Sequence, residues 1–261
     1  NDIGQIERKT QNRVVALLRE QLGYTYAGNL EDHANSNVRE DVLAGWLAGR
    51  GVSPALVTKA LDALERAAND STKGLYDRNR DVYEHLRYGI KVKEELGAQT
   101  ETVWLIDWEN PEDNVFEVAE EVTVLGRAGG ATKRPDVVLY VNGIALGVIE
   151  LKRSTVSVTE GIRQNLTNQK PEFIEHFFST MQWVMAGNDT QGLRYATIQT
   201  PEKYWLTWKE ESPVENLLDR AVLQVCEKSR FLELIHDFVV FDSGIKKLCR
   251  PNQYFGVRAA Q

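Results

Sequence analysis

The stretch RPDVVLYVNGIALGVIELKR, residues 134–153, decides the fold. Two apolar runs, Val137–Val141 and Ile144–Ile149, flank the pair Asn142-Gly143. An Asn-Gly pair between two apolar runs is the strongest short-range signal of a β-hairpin, because both residues readily adopt the left-handed backbone of a tight turn. The stretch therefore predicts two adjacent antiparallel strands, around which the other elements are arranged.

Acidic residues stand at the outer ends of both predicted strands. Asp136 follows Pro135 ahead of the first strand, and Glu150 closes the second, with Lys152 two residues later. Charge at the end of a buried strand rarely occurs without a role, and two neighbouring carboxylates repel each other unless a cation lies between them. Carboxylate oxygens suit hard divalent ions such as Mg²⁺. The pattern indicates a metal site, and a surface hairpin with charged ends is the alternative.

The register of the hairpin decides between these alternatives. Side chains alternate between the two faces of a strand, so in a strict two-residue turn Asp136 would pair with Ile149 and point away from the second acid. A metal site therefore requires an offset of one residue. The offset is either a three-residue loop over Val141–Gly143 or a bulge near Pro135 or Gly147.

With that offset, Asp136 and Glu150 are the predicted ligands of Mg²⁺, together with the Leu151 backbone carbonyl and waters. Lys152 would orient or help to activate the attacking water and would neutralise the charge on phosphorus-bound oxygens. Gln164 is a candidate for contact with the nucleotide or the scissile phosphate, although an exposed helix glutamine often has no such role. Three basic residues are candidates for contacts with backbone phosphates, or else are plain solvated charges: Lys133, Arg134 and Arg153.

Composition restricts the class of protein. The chain has 261 residues, 42% of them hydrophobic, which allows one sizeable core or two small domains. The net charge is −7, but residues 111–125 hold five acids and no base, whereas residues 131–170 hold six bases against three acids. A local excess of bases beside a metal site can hold a phosphodiester backbone, although it also fits an ordinary mixed surface.

Cysteine usage and hydropathy restrict the compartment. Cys226 and Cys249 are the only cysteines, and their spacing is not that of a zinc site. This favours a reducing compartment over an oxidising one. The sequence has no signal peptide and no long apolar run, so it predicts a soluble, cytoplasmic protein that does not contact a membrane.

Periodicity divides the chain into three parts. Residues 1–90 are predicted to form a helical N-terminal region, with helices over 5–22, 39–48, 54–68 and 75–87 and a polar, turn-rich segment over 24–37. Residues 91–230 are predicted to form the core, in which further strands cover 102–108, 116–124, 181–185, 193–198 and 205–208 and helices cover 159–168, 171–179 and 213–226. Residues 231–261 are a C-terminal segment that begins with a helix over 231–237. The mixture predicts an α/β or α+β fold with a mixed central sheet flanked by helices.

The acidic pair and the lysine resemble the PD-(D/E)xK nuclease signature. A wider set of segments is similar to the N-terminal nuclease domain of type I restriction enzyme R (HsdR) subunits: LYDRNRDVYEHLRYGIKV (75–92), LIDWENPEDNVFEVAEEVTV (105–124), EGIRQN (160–165), AGNDTQGLRYATI (186–198) and WLTWKE (205–210). The resemblance covers nearly the whole chain. It implies a restriction-endonuclease-like core and a Mg²⁺-dependent endonuclease, with Mn²⁺ as a substitute, that cuts double-stranded DNA.

The resemblance also assigns residues. The acidic pair and lysine of the family fall on Asp136, Glu150 and Lys152. Many members continue with a Gln-x-x-x-Tyr element, in which Gln164 matches but Asn168 stands at the position of the tyrosine. Some related nucleases use an acid from an early helix, for which Glu7 is the candidate, with an ordinary surface-helix residue as the alternative.

The resemblance implies partners outside this sequence. In the family this domain precedes an ATP-driven motor and works in a complex with methyltransferase and specificity subunits. The run RPNQYF, residues 250–255, is similar to the glutamine motif ahead of a helicase core, which makes Gln253 a candidate for adenine recognition in a longer protein. The P-loop pattern GxxxxGK[ST] is absent from these residues, so ATP is expected only for the motor. A stand-alone repair or mobile-element nuclease and a catalytically silent DNA- or protein-binding scaffold are the alternatives.

Overall fold

The computed structural model describes residues 2–127 and 129–261. The strands are, in chain order, β1 (Thr25–Asn29), β2 (Ile90–Lys93), β3 (Thr100–Val103), β4 (Phe116–Glu120), β5 (Val137–Val141), β6 (Ile144–Leu151), β7 (Trp183–Asn188), β8 (Gly192–Ala196), β9 (Val239–Asp242) and β10 (Ile245–Leu248). The helices are α1 (Asp2–Ala16), α2 (Glu40–Gly49), α3 (Pro54–Asn69), α4 (Leu75–Tyr88), α5 (Val158–Asn168), α6 (Leu217–Val225), α7 (Lys228–Asp237) and α8 (Pro251–Ala259). A π-helical turn at Leu17–Gln21 continues α1, and short 3-10 turns lie at Pro111–Asp113, Glu175–Ser179 and Glu202–Tyr204.

A mixed six-stranded sheet, in the order β1-β4-β5-β6-β7-β8, forms the centre of the molecule. β1 is parallel to β4 and β6 is parallel to β7, while the other neighbours are antiparallel. Every residue of β5 and β6 is buried, which explains why both strands read as continuous apolar runs. This arrangement confirms the predicted mixed sheet flanked by helices and has the topology of a restriction-endonuclease-like α+β fold.

Two apolar cores cover the two faces of this sheet. One core contains Val137 and Leu139 together with side chains of the N-terminal helices α1 to α4 and of α6 and α7. The other contains Val138 and Tyr140 together with α5 and the aromatic residues before β7. Because successive residues of β5 enter opposite cores, a slip of one residue would exchange the two faces. The register of the hairpin is therefore fixed by packing on both sides.

The Asn142-Gly143 turn is buried rather than exposed. Asn142 (φ 51°) and Gly143 (φ 81°) both have the left-handed backbone that the sequence predicts for this turn. The Asn142 Nδ2 donates to the Leu105 carbonyl and to Asn114 Oδ1, both at 2.9 Å, and its Oδ1 accepts from the Val115 N–H at 2.7 Å. The turn thus ties the centre of the sheet to the segment before β4, and the alternative of a surface hairpin is wrong.

Asn142→Ala is expected to lower the free energy of unfolding by about 3–5 kcal/mol, because it removes three hydrogen bonds at a left-handed position and leaves the Leu105 carbonyl and the Val115 N–H without a partner. Urea unfolding measures this change. Ser243→Ala is the matched control, since Ser243 has the same φ of 51° but lies in the exposed turn between β9 and β10. The control should change the free energy by less than about 0.5 kcal/mol. Equal losses in both variants would contradict a structural role of the buried turn.

Four predictions of secondary structure are wrong. Thr25–Asn29, predicted as part of a turn-rich segment, is an edge strand parallel to β4, so residues 1–90 contribute a strand to the central sheet. The strand predicted over 102–108 ends at Val103. The segment predicted as a helix over 171–179 has a 3-10 turn instead, and the one predicted as a strand over 205–208 makes a single bridge to β8. The proposed domain boundaries at 90 and 230 stay a prediction.

Within the described residues, no helix is both long and apolar enough to cross a membrane.

Candidate metal centre and active site

A β-bulge at Leu146 sets the register of the central hairpin. The Cα partners along the two strands are Val141 with Ile144, Tyr140 with Ala145, Leu139 with Gly147, Val138 with Val148 and Val137 with Ile149. The turn therefore has two residues, and Leu146 is the residue that the register skips. Beyond the bulge, this register brings Asp136 opposite Glu150 rather than opposite Ile149. The predicted offset is confirmed as a bulge beside Gly147, and the alternative of a three-residue loop is wrong.

The glycine next to the bulge allows the close packing at this point. A Cβ atom at Gly147 would lie 3.2 Å from the Phe231 ring and 3.3 Å from a methyl group of Leu139. Glycine inside a strand often marks a bulge or a close approach of neighbouring groups, and both are found here.

Short polar contacts connect Glu150, Lys152 and Gln164, and a backbone N–H holds Asp136 beside them. The Leu151 N–H donates to Asp136 Oδ2 at 2.7 Å. Gln164, on α5, donates from Nε2 to Glu150 Oε2 at 3.1 Å, and its Oε1 accepts from the Lys152 ammonium. Gln164 therefore bridges the Glu150 carboxylate and the Lys152 ammonium, and through it α5 can position both side chains.

Burial perturbs the ionisation of both carboxyl groups. Burial raises the pKa of Asp136 to about 6, although the Leu151 N–H and the Lys152 charge act in the opposite direction. Burial and the neighbouring charge of Asp136 raise the pKa of Glu150 well above its usual range. Glu150 is fully buried, and its Oε1 has no hydrogen-bond partner among the described residues. A buried carboxylate oxygen without a donor, beside a second carboxylate, has the chemistry of a site for a cation.

A cavity of about 270 Å³ opens beside Asp136, while the buried Glu150 lies behind its wall and does not line it. Its lining residues are Gly4, Glu7, Arg8, Gln11, Glu121, Arg134, Asp136 and Leu151. Across residues 2–127 and 129–261, no group of three or more His, Cys, Asp or Glu side chains is arranged to hold a metal ion by itself. Mg²⁺ commonly binds through one or two carboxylates and keeps several water ligands, so two carboxylates with space for water fit this ion. A ligand role for the Leu151 carbonyl stays a prediction.

The three basic residues predicted to contact phosphates, Lys133, Arg134 and Arg153, lie in different surroundings. In the part of the chain that the structure describes, Arg134 alone of the three lines the Asp136 cavity, where it pairs with Glu121 at 2.9 Å. Lys133 lies over the ring of Phe173, 4.4 Å from its centre, and Arg153 is half-buried. Their contacts with DNA stay predictions.

Two further predicted residues lie away from the cavity. Asn168 is buried, and its contribution to the site stays a prediction. Gln253 is exposed, and its Oε1 accepts from the Arg250 N–H as part of the cap of α8. Its role in adenine recognition stays a prediction. By contrast, Glu7 on α1 lines the same cavity as Asp136.

Sequence reasoning missed Glu121, Gln11 and Arg8. Glu121 directly follows β4 and has a left-handed backbone (φ 49°), which is unusual for glutamate. Gln11 and Arg8 both donate to its carboxylate. No short motif marks these residues, because they come together only through packing of α1 across the end of β4.

A mixed sheet that brings an acidic pair and a lysine to the ends of two adjacent strands, next to a helix that supplies a glutamine, defines the restriction-endonuclease-like class. The family described as "Type I restriction enzyme R protein N terminus" matches residues 4–203, and the chain belongs to this family.

Curated relatives agree with this family. The type I restriction enzyme HindI endonuclease subunit of Haemophilus influenzae is 29% identical over 98% of this chain, which covers 26% of that subunit. The putative type I restriction enzyme MjaIXP endonuclease subunit of Methanocaldococcus jannaschii is 24% identical over 96% of this chain and 27% of its own length. The chain thus spans about a quarter of the length of both relatives.

Proposed function

We propose that this chain is the Mg²⁺-dependent endonuclease region of the R subunit of a type I restriction–modification complex and cuts double-stranded DNA in the cytoplasm. The bulge at Leu146 carries the proposal, because it brings Asp136 onto the face of Glu150 and Lys152. Family membership supports the same function, as do the relatives, which are named as endonuclease subunits. The implied partners are the methyltransferase and specificity subunits, with ATP used by motor domains elsewhere.

The chain's own residues divide the work at the reacting phosphate. Asp136 and Glu150 would hold the ion, which lowers the pKa of a bound water and stabilises negative charge on phosphate oxygens. Lys152, whose ammonium is fixed by Gln164, would neutralise the charge that develops as the attacking oxygen adds to phosphorus. Arg134 lies on the cavity wall and would contact a backbone phosphate, which positions DNA without reading its sequence.

A crystal of the chain soaked in Mn²⁺ tests the metal site directly. Density between Asp136 and Glu150 would support the nuclease. An empty and well-ordered pair would instead favour a catalytically silent scaffold. The soak is more decisive than a cleavage assay on this chain alone, since cleavage is expected to depend on the motor and the partner subunits.

Gln164→Ala is expected to lower the rate of DNA cleavage by the complete complex by about 10–100-fold, as is typical when an outer partner of a metal ligand is lost. The physical reason is that Gln164 donates to Glu150 and accepts from Lys152, so both side chains lose their common partner. Thr167→Ala, on the same helix, is the matched control and should leave cleavage unchanged. A cleavage rate within twofold of the unsubstituted enzyme would remove Gln164 from the site.

A further inference from the structure

Glu121 is fixed beside Asp136 by its main chain as well as by its side chain. Its N–H donates to the Asp136 carbonyl at 2.9 Å, so the two residues cannot separate without breaking the connection between β4 and the start of β5. Its side chain is 13% exposed and lines the same cavity as Asp136 and Leu151. Glu121 is therefore a third acidic side chain at the edge of the proposed metal site.

The left-handed backbone of Glu121 turns its side chain toward α1. Successive side chains of a strand point to opposite faces, so a regular continuation of β4 would send Glu120 and Glu121 in opposite directions. Instead, the Gln11 Nε2 donates to Glu120 Oε1 at 3.0 Å and to Glu121 Oε1 at 3.1 Å. The φ of 49° thus brings two consecutive carboxylates to one amide group.

The Glu121 carboxylate has unused capacity as an acceptor. A carboxylate has about four acceptor positions. Two donors form hydrogen bonds with its Oε1 here: Arg8 Nη1 at 3.3 Å and Gln11 Nε2 at 3.1 Å. Arg134 Nε forms an ion pair with its Oε2 at 2.9 Å. At least about one acceptor position is therefore left for a further donor.

The charge of the cavity favours a cation and its waters over an anion. The charged residues in its lining are three acids and two arginines: Glu7, Glu121, Asp136, Arg8 and Arg134. An independent observation at the neighbouring acidic pair also calls for a cation, since Glu150, opposite Asp136, is fully buried and its Oε1 has no hydrogen-bond donor among the described residues. A divalent ion held by two carboxylates keeps several waters, and every one of these waters is a hydrogen-bond donor.

We propose that Glu121 is a positioning residue of the metal site, which accepts a hydrogen bond from a water bound to the divalent ion while Arg8, Gln11 and Arg134 hold its carboxylate in place. This inference rests on the proposed function, because it assumes that Asp136 and Glu150 bind the ion. Glu121 supplies the acceptor that the water requires, and its charge adds to the attraction for the cation.

Calorimetric titration of the full chain with Mn²⁺ tests this role. Glu121→Gln is expected to raise the dissociation constant about tenfold, because it keeps the shape of the side chain but removes the charged acceptor. Glu31→Gln is the matched control: Glu31 also pairs with Arg134 but does not line the cavity, so the dissociation constant should stay within twofold.

Arg8→Gln separates positioning of water from support of α1. The substitution breaks the same contact between α1 and Glu121, but it leaves the carboxylate intact and removes a competing cation. We therefore expect Mn²⁺ binding that is unchanged or tighter. Weaker binding by both Arg8→Gln and Glu121→Gln, or unchanged binding by Glu121→Gln, would overturn the inference while leaving the metal site itself intact. An unsubstituted chain that shows no saturable binding of Mn²⁺ would overturn the proposed function and the inference with it.

Discussion

Glu150→Ala in the complete restriction complex is expected to lower the rate of DNA cleavage by at least about 10³-fold, while ATP hydrolysis and translocation stay largely intact. Glu150 is the fully buried member of the acidic pair, and nothing else in the described residues occupies its position opposite Asp136. Lys152→Ala is expected to have a comparable effect, because in the proposed mechanism the ammonium beside the pair would compensate negative charge in the transition state. Cleavage of plasmid DNA and hydrolysis of ATP are measured on the same preparation.

Exposed residues of the same types provide controls for this experiment. Glu160 lies in the first turn of α5 and Lys170 lies just after this helix, and both are exposed. Glu160→Ala and Lys170→Ala should cleave at the rate of the unsubstituted complex. Glu150→Gln, which keeps the volume of the side chain, excludes a folding defect as the cause of lost cleavage. Cleavage that survives in Glu150→Gln and in Lys152→Ala would refute the assignment of the site.

The local signals of this sequence predicted most of the elements that carry the site. The Asn-Gly pair fixed the position of the hairpin turn, and Ser53-Pro54 marked the start of α3, where the Ser53 hydroxyl accepts from the Leu56 N–H. The edge strand β1 was missed because its partner β4 lies far along the chain, and parallel pairing leaves no turn signal between the strands. The side chains of β1 are exposed or half-buried, and its register shifts between Tyr26 and Gly28, so the strand shows no clear alternation of apolar and polar residues.

The sequence predicted which residues of the candidate site would be neighbours but not their geometry, and the catalytic roles of these residues stay predictions. Alternation of side chains showed that Asp136 and Glu150 share a face only if one residue is added, yet several positions could have supplied it. Tertiary packing places the bulge at Leu146, because the neighbouring Gly147 fits between Leu139 and Phe231. Phe231 belongs to α7, much later in the chain, so no local signal could indicate this position. The cavity wall formed by α1 depends in the same way on contacts between distant segments. No local sequence pattern could therefore predict that Glu121 lies beside Asp136.

Binding of Mn²⁺ to this chain is expected to weaken at least about tenfold between about pH 7 and pH 5, because the ion binds ionised carboxylates and must displace protons. The pKa of Asp136 is raised to about 6, and the pKa of Glu150 is raised well above its usual range. Each proton displaced contributes a factor of about ten per pH unit below the pKa of its group. Calorimetric titrations across this range measure the slope.

Stability without metal should change with pH in the opposite direction. The folded chain keeps protons on Asp136 and Glu150 that the unfolded chain has already released, so both groups contribute less stability as pH rises, Asp136 up to its folded pKa of about 6. Mn²⁺ replaces those protons, and the increase in melting temperature on its addition should be large at about pH 8 and nearly absent at about pH 5. In Asp136→Asn the charge repulsion is gone, so at about pH 8 the metal-free variant should melt above the unsubstituted chain and should respond little to Mn²⁺. An equal response to Mn²⁺ at both pH values would mean that the ion binds somewhere other than this acidic pair.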